Sequence, residues 1–364
     1  MSFVISNLPD CSARILSDAR SCWFHANVQR SVRYAAPSIE NGRYEKFIAA
    51  VCPAVTGTRH SALAALIKSL DLSRLVYDGK SSDTARLLNR TAPNLVRFVA
   101  PAVKFGCNCF TALAKCCKLQ VLDLRLVKPS IQLEDLLRHI RRLKELRTLI
   151  FPRSVTVPDY EAEQTSLAGY VLPENLECFS LTGSISDTFL TTLIAPESLV
   201  EFRIFDAFAR YMSIRFLLNK WSTQLKVLEV NYHISTLPHN AMDKILVTCP
   251  NLEKLRVAVD FITHRLFDEE NAPLAHPLKR LDLDSSGYPG AEHKLKADHI
   301  FICLAEGRLS CLRIVRLSEK LNWVAKDKEG VDDLVQVLET RIDATNGVAG
   351  VWEFGSTSRK YGAF

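Results

Sequence analysis

The chain lacks several things that would have narrowed its function at once. It has no apolar run long enough to cross a bilayer, which takes about 20 residues of helix. The longest mainly apolar stretch is FIAAVCPAV. It has no dense basic patch: 46 Lys and Arg are interspersed with 40 Asp and Glu, for a formal net charge of +6. That balance serves solubility and argues against nucleic acid as a partner. Its 11 cysteines are odd in number and unevenly spaced, so they read as reduced, buried thiols of an intracellular protein and not as a disulfide framework. The opening MSFVISNLPD has no basic segment followed by an apolar one, so no secretory leader is expected. A soluble protein of the cytosol or nucleus is the expectation, with no membrane partner.

Catalytic motifs are missing too. There is no G-x-S-x-G, no H-E-x-x-H and no phosphate-cradling G-x-x-x-x-G-K, so the chain does not read as an enzyme. The thiol-rich CNCFTALAKCC (Cys107, Cys109, Cys116, Cys117) has enough sulfur for a metal cluster. Cys116 falls just ahead of an apolar core, as Cys249 does in TCPNL, and buried cysteines explain it better. Neither a metal nor a cofactor is expected. The histidines are dispersed; His139 and His299 sit on helical segments as packed or solvated side chains. The triplet NRT at Asn89 is expected at a helix-to-strand turn, unmodified. The run RHIRRLK from Arg138 to Lys144 is expected to be the solvated face of a helix.

What the sequence does have is a repeat. A core with apolar residues at positions one, four and six recurs as IKSLDL, LVRFVA, LQVLDL, LRTLIF, LECFSL, LVEFRI, LKVLEV, LEKLRV, LKRLDL and LRIVRL. These begin at residues 67, 95, 119, 146, 176, 199, 225, 252, 278 and 312. Leucine-rich repeats run to roughly 20–29 residues and carry this core. Stretches such as DTARLLNRTAPNL, LEDLLRHIRRLKEL, SIRFLLNKWSTQL and AMDKILVTCPNL precede cores with helical spacing. The expected fold is an α/β leucine-rich-repeat solenoid, a horseshoe of about ten irregular repeats. Its concave face is a parallel β-sheet and its helices lie on the convex side. The pattern stops after Ser318, and EGVDDLVQVLETRID reads as a capping helix ahead of a tail.

Strand residues alternate between faces, so positions four and six point inward, and positions three and five and the residue after the core face the concave solvent. This places Arg97, Val99, Val121, Asp123, Arg125 and Ile150 on the concave surface of the early repeats. Later repeats add Glu201, Arg203, Phe205, Glu229, Asn231, Lys254, Arg256, Arg280, Asp282, Asp284 and Arg316. Such a mixture of Arg, carboxylates and an aromatic suits a protein partner.

The N-terminus carries a resemblance. Leu8-Pro9-Asp10, Ile15-Leu16 and the Cys-Trp pair ending at Trp23, ahead of irregular repeats with CPNLEKLRV-type cores, resemble fungal F-box/leucine-rich-repeat proteins. The F-box match is shortened. The resemblance implies the substrate-recognition subunit of a Skp–cullin–F-box ubiquitin ligase. Leu8, Pro9, Ile15, Leu16 and Trp23 would meet a Skp-type adaptor, and the concave face would hold a protein substrate. The alternative is a leucine-rich-repeat interaction scaffold that no longer recruits a ligase. The expected layout is an F-box-like remnant and linker over 1–60, repeats over 61–320, and a capping helix and tail over 321–364.

Overall fold

The computed structural model describes residues 41–52, 63–75, 81–103, 105–156, 169–231, 234, 236–287, 295–341, 348–355 and 359–361. The ten cores all become strands of one sheet: β1 (Ser69–Asp71), β2 (Arg97–Val99), β3 (Val121–Asp123), β4 (Thr148–Ile150), β5 (Cys178–Ser184), β6 (Glu201–Phe208), β7 (Val227–Val230), β8 (Lys254–Ala258), β9 (Arg280–Asp284) and β10 (Ile314–Ser318). They lie side by side in chain order and pair in parallel. This is a leucine-rich-repeat solenoid.

The register puts every position-four side chain opposite its counterpart. Leu70, Phe98, Leu122, Leu149, Phe179, Phe202, Leu228, Leu255, Leu281 and Val315 form one continuous ladder, and each is fully buried. Its widest rungs are aromatic: the rings of Phe179 and Phe202 stack at 6.2 Å, and Trp221 meets Phe202 edge-on at 5.0 Å.

Each repeat enters its strand in one way. The carbonyl of Lys68 accepts the N–H groups of both Val96 and Arg97, and Val96 does the same for Gln120 and Val121. The arrangement continues to the carbonyl of Lys279, which accepts Arg313 and Ile314. Asparagine side chains tie neighbouring turns together: Asn94 donates to the Ala65 carbonyl, Asn175 to Lys144 and Asn251 to Thr223. The asparagine immediately ahead of the LVRFVA, LECFSL and LEKLRV cores thus satisfies a backbone carbonyl of the preceding turn.

The convex side varies more than the strands. Leu133–Ile140 is an amphipathic helix that buries Leu133, Leu136, Leu137 and Ile140, with Glu134 and Asp135 in its first turn and Arg138 and His139 in its last, as the helix dipole favours. The expected helix before LEKLRV shrinks to Ile245–Thr248. Its Asp243 carboxylate instead accepts the N–H and hydroxyl of Thr263 in the following repeat. Asn89 is not in a turn but inside the helix Ser81–Thr91, where its side chain donates to the Ala85 carbonyl.

Both ends extend beyond the repeat pattern. The helix Asn41–Val51 lies in the segment assigned to the N-terminal module, yet Tyr44, Val51 and Cys52 belong to the repeat core. At the other end the helix Lys328–Glu339 buries Val331, Leu334, Val335 and Leu338. Beyond it, the tail supplies two more strands. β11 (Gly350–Phe354) continues the parallel sheet, and β12 (Arg359–Tyr361) closes it with an antiparallel pair. Pattern reading missed β11 because it brings one inward side chain, Val351, and no leucine core. Gly355 lies after β11, and a side chain there would collide with the Glu319 carboxylate.

Replacing Leu228 or Leu255 by Asp should collapse the neighbouring repeats, because the carboxylate would be buried without a partner at several kcal/mol. Thermal unfolding followed by circular dichroism should show a large fall in Tm; an unchanged Tm would contradict the register.

Candidate functional site: the concave face

The concave sheet surface has a central row made of position-five residues. By strand register it runs Val99, Asp123, Ile150, Ser180, Arg203, Glu229, Arg256, Asp282, Arg316 and Trp352. From Arg203 to Arg316 the sign of charge alternates on five successive strands. Neighbouring strands lie about 4.8 Å apart, so Glu229, Arg256 and Asp282 have an opposite charge on either side, and Arg203 and Arg316 on one.

Two of these cross-strand pairs close as ion pairs, Arg203–Glu229 and Asp282–Arg316, and the shorter contacts are to flanking residues. Arg203 binds Glu201 at 2.6 Å and approaches Glu229 at 3.6 Å, and Lys254 binds Glu229 at 2.8 Å. Arg280 grips both oxygens of Asp282, at 2.8 and 2.9 Å, and Arg256 reaches Asp284 at 2.6 Å. Burial alone would raise the pKa of Glu229, but the Lys254 hydrogen bond and the charges of Lys254, Arg203 and Arg256 hold it below the ordinary range. Burial opposes the charge of Arg203, yet its Cys178, Glu201 and Glu229 neighbours raise its pKa.

Not every residue expected in solvent is there. Asp123, Asp282 and Asp284 are buried, at 2%, 3% and 5% exposure, as are Val99 and Ile150. The side chains flanking them are long enough to cover a concave surface. Arg125 chelates the Asp123 carboxylate through Nε and Nη2. Its guanidinium lies 5.9 Å from the Phe205 ring, although β4 and β5 separate their strands. Phe354 on β11 closes the other end in the same way, 5.1 Å from the Arg256 guanidinium and 4.9 Å from that of Arg316. Sequence reading missed Phe354 because its strand carries no repeat core. Arg97 is exposed, whereas Phe205, Asn231, Lys254, Arg256, Arg280 and Arg316 are half-buried.

The remaining chemistry-bearing groups do not converge. Cys109, Cys116 and Cys249 are buried, and Cys107 and Cys117 are exposed. Burial pushes the thiols of Cys116 and Cys249 up to about 12. Among the described residues no group of three or more His, Cys, Asp and Glu is arranged to hold a metal ion. His139 packs against the Phe110 ring, and His299 stacks on His264 at 5.5 Å. Among the described residues no helix is long and apolar enough to cross a membrane. The candidate adaptor residues Leu8, Pro9, Ile15, Leu16 and Trp23 lie outside the described residues.

Fold and surface together define a leucine-rich-repeat protein with a charged concave sheet. No protein-family model matches the sequence. The chain is 30% identical over 312 residues to the F-box protein YDR306C of Saccharomyces cerevisiae, covering 84% of this chain and 63% of the relative. It is 27% identical over 308 residues to Protein pof5 of Schizosaccharomyces pombe, covering 84% of each. The chain thus spans less than two thirds of the first relative. Among solved structures it is similar to an internalin of Listeria monocytogenes (12% identity, 84% of this chain and 88% of that one, TM-score 0.38). It is also similar to the leucine-rich repeat-containing protein LegL7 of Legionella pneumophila (12% identity, 88% and 89%, TM-score 0.39). The fold itself rests on the strand register above. The chain is a leucine-rich-repeat protein, similar in sequence to a yeast F-box protein.

Two outcomes are expected of the charge row. Arg280→Ala should cost about 1.5–3 kcal/mol, since a buried carboxylate loses both its charged hydrogen bonds; urea unfolding would measure it. Glu229 has a lowered folded-state pKa, so its stabilisation is present above the ordinary glutamate range and is lost as pH falls through the lowered value. The Tm gap between wild type and Glu229→Gln should therefore narrow on acidification; a gap that widens would contradict the pairing.

Proposed function

We propose that this protein is the non-catalytic substrate-recognition part of a Skp–cullin–F-box type ubiquitin ligase, with a protein substrate on its concave face. The observation that carries the reading is the conjunction of an F-box relative at 30% identity with an unbroken parallel sheet whose concave surface is charged and aromatic. Such a subunit does no chemistry. It raises the local concentration of its substrate beside the ubiquitin-charged enzyme. Leu8, Pro9, Ile15, Leu16 and Trp23 are the proposed adaptor contacts. The proposed partner contacts are the concave residues from Arg97 to Arg316, with buried Asp123, Asp282 and Asp284 positioning the arginines. The cytosol or nucleus, where a ligase of this type acts, is the proposed location.

The second reading, a repeat scaffold without a ligase, is favoured by the shortness of the segment between Leu8 and Trp23. A pull-down against a purified Skp-type adaptor separates the two. Truncation is best made ahead of Asn41, since Tyr44 and Val51 belong to the repeat core. Capture of the full chain, lost on deleting residues 1–40, is the result expected of a ligase subunit. No capture of either form would leave the scaffold.

A further inference from the structure

Most charges of the concave face already have a partner within it. A substrate that met Arg203, Lys254, Arg256 or Arg280 would compete with Glu201, Glu229, Asp284 or Asp282, held at 2.6–2.9 Å. Exchanging one charged pair for another adds little net affinity.

Arg316 is placed differently. Among the described residues its one ion pair is with Asp282, at 3.8 Å, and both oxygens of that carboxylate are already taken by Arg280. Three guanidinium groups, those of Arg256, Arg280 and Arg316, therefore share the two carboxylates of Asp282 and Asp284. Burial lowers the pKa of Arg316 and its arginine neighbours lower it further, against the attraction of Asp282. The side chain is nonetheless held, because its guanidinium lies 4.9 Å from the Phe354 ring. Cation–π attraction holds the guanidinium over the ring without taking up its N–H donors, which stay free for a forked hydrogen bond. The group remains 28% exposed, so a ligand can reach it.

We propose that Arg316, supported by Phe354, is the anchor of the concave face for a carboxylate, supplied by an aspartate or glutamate in an extended segment of the protein partner. This rests on the concave face being the partner surface. The site follows from a shortage of anions around three arginines, and it selects one residue from the charged stretch between Glu201 and Arg316, whose other charges are paired. Within the partner face, Arg203, Arg256 and Arg280 are already engaged with its own carboxylates, and Arg316 supplies the anchor.

Fluorescence anisotropy of the full chain with fluorescein-labelled Gly-Ser-Glu-Glu-Gly-Ser, and with its Gln-Gln counterpart, tests the assignment. Wild type should prefer the glutamate peptide by about ten- to a hundredfold, the scale of a charge-assisted forked bond. Arg316→Ala should abolish that preference with little change in Tm. Arg316→Lys should restore part of it, because lysine keeps the charge and loses the fork. Equal binding of the two peptides, or a preference untouched by Arg316→Ala, would overturn the proposal. A phosphoserine peptide bound at least tenfold more tightly through Arg316 would overturn the choice of carboxylate. If Arg97→Ala or Phe205→Ala weakens binding while Arg316→Ala does not, only the anchor is wrong. If none of the three matters, the concave face is not the partner surface.

Discussion

The structure depends on one constraint: each parallel strand must place its position-four side chain against the same position of the next. A single repeat cannot bury its apolar face, so burial comes from stacking. Leu70, Phe98, Leu122 and their successors make that contact continuous, and all else is attached to it. The shared carbonyls at the strand entrances and the asparagine bridges between turns follow from the same phase, since both join equivalent positions of adjacent repeats. The convex side has no such requirement. It uses helices of quite different lengths, and at Asp243 it replaces helix with a side-chain contact to the next repeat.

The concave face obeys a second rule derived from the first. Because the strands are in phase, charges at position five meet across strands at one fixed spacing, and alternation of sign makes them compatible. The result is a surface rich in charge that leaves few charges uncompensated. Burial of Asp123, Asp282 and Asp284 beneath arginines is part of this: the carboxylates orient guanidinium groups, as fixed dipoles would. Phe205 and Phe354 complete the arrangement by providing rings for Arg125 and Arg256 on more distant strands and for Arg316 on the adjacent one. A surface so organised suits recognition of another protein, where affinity concentrates in a few preorganised anchors.

The relationship to fungal F-box proteins and the repeat architecture belong to different parts of the argument. The architecture rests on strand register, and the sequence similarity bears on function only through the proposal above. The described N-terminal helix, Asn41–Val51, packs into the repeat core and not away from it. The chain from Asn41 onward is therefore part of the repeat body.

The sequence by itself determined the solenoid. Ten cores in phase could only be buried by stacking, and the inward ladder from Leu70 to Val315 was legible because period-two alternation needs no long-range information. It also determined which charges lie on the concave side. Their relations were decided by the tertiary structure. Strand-to-strand register brings Arg256 onto Asp284 and leaves Arg316 at 3.8 Å from an Asp282 already held by Arg280, and no local pattern encodes distances between residues about thirty positions apart. Phe354 and the eleventh strand were invisible for the same reason: Gly350–Phe354 forms a strand because the exposed edge of β10 offers it hydrogen-bond partners, and not because its own sequence repeats.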